Sequence, residues 1–388
     1  MSHEQTARTP RSGAESHSVA RETGNYLAEW FGHRLYPEPT SAPSSRVDQL
    51  GETCPFLTQV MGRPVVCVKS EKSRGGSSNG VSRGVCTISS ASNGHRQDWL
   101  ACPYRALDTS LLKSSARRLF EVPESQDVEL IPVPSLAEVK KLERFRARVA
   151  DGAFGIAYFQ GKLGGEISVA ATERSPELNF DSTMVHLELV DGVLTADRYA
   201  IFEIQTMDFH GTYKRAVDNV AAASHLHGAD FPKAVLEHPQ WLSEGVEGPN
   251  ISNAFKRTFY QMMFKFQIGA HGNAAGCVLA IPEAVWDSWQ RFLGKPDLID
   301  MPDGSYRLLG TPSDERMPAW IYVFDLNADY GESPNPVRLK KVIGTTAAAL
   351  SHFALDVAPE AAMEAGGHVD LLMDTIRARL SRFLPEVA

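Results

Sequence analysis

Polar and apolar residues alternate along Glu177-Leu178-Asn179-Phe180-Asp181, which predicts a half-buried strand with Asp181 at its polar end. Further on, Tyr199-Ala200-Ile201-Phe202-Glu203-Ile204-Gln205-Thr206 is apolar on both faces, as in a strand covered on each side. Side chains two apart share a face, so Glu203 and Gln205 point with Tyr199 and Ile201, while Ala200, Phe202 and Ile204 fill the other. Between these segments run Val185–Val190 and the dipeptide Asp191-Gly192, which favours a tight hairpin turn. The full pattern predicts strands at 154–160, 166–170, 177–181, 185–190, 194–206 and 318–325. It predicts helices near 209–224, 251–267, 282–293, 337–355 and 366–383, and a short helix over Leu27–Phe31. Pro132-Val133-Pro134 punctuates the chain before the capping-box sequence Ser135-Leu136-Ala137-Glu138; Val139, Leu142, Phe145 and Val149 then follow at helical spacing. The class is α/β or α+β.

A carboxylate set into a doubly covered strand loses its hydration unless a cation meets it. Asp181 and Glu203 fall on neighbouring antiparallel strands, close enough to share a metal ion. The spacing resembles the nuclease core written PD…(D/E)xK, with Phe180 in place of the proline and Gln205 in place of the lysine. The bare spacing also occurs by chance, and a structural acid hydrogen-bonded inside a sheet accounts for it equally. His210 has no second histidine or asparagine at the spacing a histidine-based metal nuclease needs, so a structural role is expected. Phe255, Phe259, Met263 and Phe266 form a helical core stripe, with Lys256 and Arg257 beside it facing either a nucleic-acid backbone or water.

The net charge of −8 argues against a uniformly basic nucleic-acid binder, but its distribution is uneven. From Cys54 to Arg118 there are 10 Lys and Arg against 3 Asp and Glu, on an otherwise acidic chain. A basic segment on an acidic body suits a protein that touches phosphates with one face and holds metals with carboxylates elsewhere. Arg63, Arg74, Arg83, Arg96 and Arg105 are the candidates there for contact with a base, against contact with phosphate or solvent. The composition of 1–24 predicts disorder; 25–130 reads as a cysteine-bearing, DNA-contacting module, and 131–388 as the catalytic domain. No apolar run is long enough to span a bilayer and no signal-peptide segment is seen at the N-terminus, so the expected compartment is cytoplasmic.

Four of the five cysteines, Cys54, Cys67, Cys86 and Cys102, fall within 49 residues. Such clustering in a reducing compartment points to a four-thiolate metal site, with buried core cysteines as the alternative. Coordination chemistry names zinc first. Cys277, in a distant apolar stretch, reads as core packing.

Several longer runs resemble NotI-type rare-cutting type II restriction endonucleases: Gly32–Glu38, Thr53–Thr58, Lys162–Glu166, Glu203–Lys214, Glu247–Met262 and Ala319–Phe324. The resemblance covers most of the chain from about Asn25 and weakens toward the C-terminus. It implies a PD-(D/E)xK core with glutamine in the lysine position, and a rubredoxin-like iron on Cys54, Cys67, Cys86 and Cys102. It implies a catalytic centre of Asp181, Glu203 and Gln205 with Glu166 as an additional acid, Asp181 and Glu203 holding magnesium. It further implies a homodimer that hydrolyses double-stranded DNA at a GC-rich palindrome containing CGGCCG, leaves 5′-phosphates, and has a DNA methyltransferase as system partner. The Cys67–Cys86 interval is longer than in that family, repeating Ser-Arg-Gly at Ser73 and Ser82. A metal-stapled DNA-binding regulator without catalysis is the alternative from another class.

Overall fold

The computed structural model describes residues 24–68, 84–92, 95–210, 212–311, 317–326, 332–364 and 371–384. Residues 1–23 of the predicted disordered segment 1–24, and Ser73 and Ser82 of the Ser-Arg-Gly repeat, lie outside these residues.

The first part of the chain forms β1 (Tyr26–Trp30), β2 (His33–Arg34), α1 (Pro43–Gly51), α2 (Pro55–Met61), β3 (Val85–Ser92), β4 (His95–Leu100) and α3 (Thr109–Leu119). Then come β5 (Val128–Pro132), α4 (Val139–Ala150), β6 (Phe154–Phe159), β7 (Ile167–Val169), β8 (Leu178–Phe180), β9 (Ser182–Val190) and β10 (Val193–Ile204). After them lie α5 (Lys214–His227), α6 (Phe231–Glu237), α7 (Ile251–Gly269), β11 (Ala274–Pro282), α8 (Glu283–Trp289), β12 (Leu298–Asp300) and β13 (Tyr306–Leu308). The last elements are β14 (Ala319–Asp325), β15 (Arg338–Thr345), α9 (Ala347–His352), α10 (Ala358–Met363) and α11 (Leu372–Leu380).

Nine strands make one mixed sheet in the order β12-β13-β15-β14-β11-β10-β9-β6-β5, and β2-β1-β3-β4 make a smaller antiparallel one. The architecture is mixed α/β with helices on the large sheet. The Asp191-Gly192 hairpin forms as expected: Val190 pairs with Val193, and both turn residues have positive φ. Along β10 the two faces divide as the alternation predicts. Ala200, Phe202 and Ile204 join the core that also holds β1, β3 and the thiols, whereas Ile201 packs with Leu279, Met262 and Phe266 under α7. The first of these cores runs through both sides of the predicted boundary at 130.

Three expectations are corrected. Leu27–Phe31 is largely strand, not helix, because its apolar residues pair with β3. The predicted helix over 337–355 is β15 followed by α9, since Arg338–Thr345 pairs antiparallel with β14. Ser135 sits in a 3-10 turn over Val133–Ala137; α4 begins at Val139 with Glu138 as its N-cap and no side-chain cap. No helix among the described residues is long and apolar enough to cross a membrane.

Candidate functional site

Register brings the two acids together. Phe202 pairs with Ser182, so the next positions, Glu203 and Asp181, face each other where β9 begins and β10 ends. The Asp181 N–H donates to Glu203 Oε1 at 3.2 Å, and the Ile204 N–H donates to Asp181 Oδ2 at 2.9 Å. Each acid is therefore held by the backbone beside the other. Glu203 is 4% exposed. Its second oxygen, Oε2, accepts from Lys265 Nζ, which α7 delivers at an equally buried position.

Lys265 is the residue at this site that sequence reading missed. On α7 it shares a helical face with Ala254, Thr258, Gln261 and Met262, and all five line one cavity of about 320 Å³ with Asp181, Glu203 and Gln205. The face of Phe180 lies 5.8 Å from its Nζ. The ammonium thus enters the site from a helix, while the strand position holds glutamine.

Burial pushes the Glu203 carboxyl up, the charge of Asp181 adds to it, and Lys265 only partly offsets both, leaving a pKa of about 8. Glu166 follows the two positive-φ glycines Gly164 and Gly165. Its carboxyl is also raised, by partial desolvation and then by Asp181, against the opposing charge of Lys265. Glu166 is exposed and is not among the residues that line the cavity. Gln205 Oε1 accepts from the Thr258 hydroxyl, its Nε2 donates to the Thr206 carbonyl, and its backbone N–H is held by Ala280 O at 3.0 Å. Its amide is committed to protein partners. His210 is exposed and is not among the residues that line the cavity.

The four thiols of Cys54, Cys67, Cys86 and Cys102 are buried, outside any disulfide and in one apolar cluster. An isolated bridge pairs Thr53 with Val66, next to Cys54 and Cys67, and the Ala101 N–H bonds Cys86 O beside Cys102. Burial pushes the Cys54 thiol up to about 12; the N–H groups of Leu57 and Phe56 oppose that, and Cys102 and Cys67 add to it. Even so, among the described residues no group of three or more Cys, His, Asp or Glu side chains stands as a metal-ligand set, at the thiols or at the acids. Cys277 is fully buried core, as expected.

The arginine candidates divide. Arg105 is a correction: it is 1% exposed, and its guanidinium holds Glu29 through Nε at 2.7 Å and Nη2 at 2.9 Å, so it serves the fold and does not reach a base. Arg96 lies over the stacked rings of Tyr26 and Tyr36 and donates to Gly24 O at 2.9 Å. Arg63 is exposed after α2, and Arg74 and Arg83 lie outside the described residues. No protein-family model matches the chain, and no curated protein matches it at a significant level.

Proposed function

We propose that the chain is a type II restriction endonuclease that hydrolyses phosphodiester bonds in double-stranded DNA at a GC-rich palindrome and leaves 5′-phosphates. The observation that supports it best is the pair Asp181 and Glu203, cross-bonded through the backbone at one cavity with Lys265 alongside. The donor chemistry of the two carboxylates suits magnesium, and Asp181 and Glu203 would hold it. When bound, it would lower the pKa of a water and neutralise charge on the phosphate. Water oxygen bonds to phosphorus in line with the departing 3′ oxygen, whose bond to phosphorus breaks and which takes a proton from solvent water to leave as the hydroxyl. Glu166, its carboxyl raised by partial desolvation and by the charge of Asp181, accepts the proton of the attacking water. Lys265 brings positive charge toward the phosphoryl oxygens as their negative charge builds, the part that Gln205 cannot play. Gln205 instead fixes Thr258 and the end of β10.

The basic thiol-bearing segment is the proposed DNA-facing module, with Cys54, Cys67, Cys86 and Cys102 as the donors for a structural iron or zinc. Four buried thiols outside any disulfide, with backbone N–H groups turned to one of them, suit such a thiophilic ion. Two copies would present one site to each strand of a palindrome, and a methyltransferase would protect host DNA.

Glu203→Ala is expected to leave plasmid DNA intact in magnesium while still binding a duplex in calcium. Continued cutting by that variant overturns the assignment. A second reading, a metal-stapled DNA-binding regulator, draws on Glu203 being already satisfied by Lys265 and the Asp181 N–H. Intact plasmid after incubation with the unaltered protein and magnesium selects it.

A further inference from the structure

Glu177, Asp181, Glu203 and Asp208 line the cavity, and the cations among its lining residues are Lys265 and Arg257. Lys265 is buried beside Glu203, so it serves the acid pair inside the cavity and not its mouth. Arg257, eight residues earlier on α7, stands at the mouth with 71% of its side chain exposed, and its Nη1 donates to Asp208 Oδ2 at 2.6 Å. Asp208 is 62% exposed. This ion pair spans the rim from the exit of β10 to the first turns of α7.

We infer that Arg257 is a positioning residue that grips a phosphodiester next to the one being cut, and that Asp208 is the carboxylate it releases when DNA arrives. The assignment rests on the nuclease reading above. A polyanion approaching a cavity lined by four carboxylates meets repulsion, and a guanidinium at the mouth is the group able to reverse it locally. Exposed ion pairs are weak, so exchanging a carboxylate for a phosphate is cheap, and the planar fork of arginine fits phosphate as well as it fits Asp208. The main chain beneath does not depend on the pair. Met207 N–H is bonded to Leu100 O at 2.7 Å and Asn250 N–H to Asp208 O at 2.8 Å, so the Asp208 side chain can let go while its backbone stays.

The test uses the full chain and a fluorescent GC-rich duplex containing CGGCCG, with binding in calcium titrated against salt and cleavage measured in magnesium. Arg257→Ala is expected to weaken binding about tenfold, to lower the log–log salt slope by about one, and to raise KM with kcat within about threefold. Asp208→Asn is expected to tighten binding about threefold by removing the competing carboxylate. Unchanged affinity and slope in both variants, with Glu203→Ala unable to cut, overturns the role of Arg257 and leaves the nuclease reading standing. Weaker binding with an unchanged salt slope and a lowered Tm overturns it in favour of a structural tie. An unaltered protein that neither binds nor cuts the duplex removes both.

Discussion

Two glutamates sit buried in strands of this protein and their carboxyls shift in opposite directions. Glu29 on β1 is 0% exposed and Glu203 on β10 is 4% exposed, so burial alone raises both. For Glu29 the two arginines outweigh that burial. Arg105 holds both oxygens, Arg34 stands 3.8 Å away and Thr87 adds a hydrogen bond at 3.1 Å, so its carboxyl falls below the ordinary range. For Glu203 a single ammonium faces burial and a neighbouring acid together, and its carboxyl rises to about 8. The balance of surrounding charge, more than depth, sets the direction in which each buried carboxyl shifts.

The largest break in this contrast comes from Arg105→Met, which strips Glu29 of its main partner and is expected to cost about 3–5 kcal/mol in urea unfolding. Next is the pH dependence. Between the unfolded carboxylate value and about 8, the folded chain retains a Glu203 proton that the unfolded chain has lost, so this group makes stability fall as pH rises through that window. Glu29 works the other way: its contribution is present above the unfolded value and is lost as pH falls through its lowered folded value. Glu203→Gln is therefore expected to flatten the alkaline side of a Tm-against-pH curve and Glu29→Gln the acid side; a curve unchanged by either removes the contrast. The smallest effect is Thr87→Val, which deletes one of the hydrogen bonds to Glu29 and is expected to cost about 1 kcal/mol by the same unfolding measurement.

Much of the acid pair was legible in the sequence because it depends on local regularities. Alternation fixed which side of β10 carries Glu203, and Asp191-Gly192 fixed the hairpin that sets Asp181 opposite it. Lys265 was hidden because a lysine next to a stripe of phenylalanines reads as a solvated flank; only the long-range meeting of α7 with β10 buries it. The central strand β11 was also unassigned. Buried at every position between β10 and β14, Ala274–Pro282 has no alternation to show. Glu29 and Arg105 lie far apart in sequence, and nothing local marks Arg105 as a core residue rather than a surface one. Charge counting grouped it with the basic face, where its side chain does not belong.

The hydrogen bond from Met207 to Leu100 has a mechanical consequence. Leu100 lies two residues before Cys102, and Met207 two residues after Gln205, so the end of the thiol-bearing hairpin is stitched to the wall of the cavity. Loosening the cysteine cluster withdraws a support from the very stretch that carries Gln205 and Asp208. Disturbance at the sulfurs is thus carried toward the carboxylates through that shared hydrogen bond, and the two regions stand or fall as one frame.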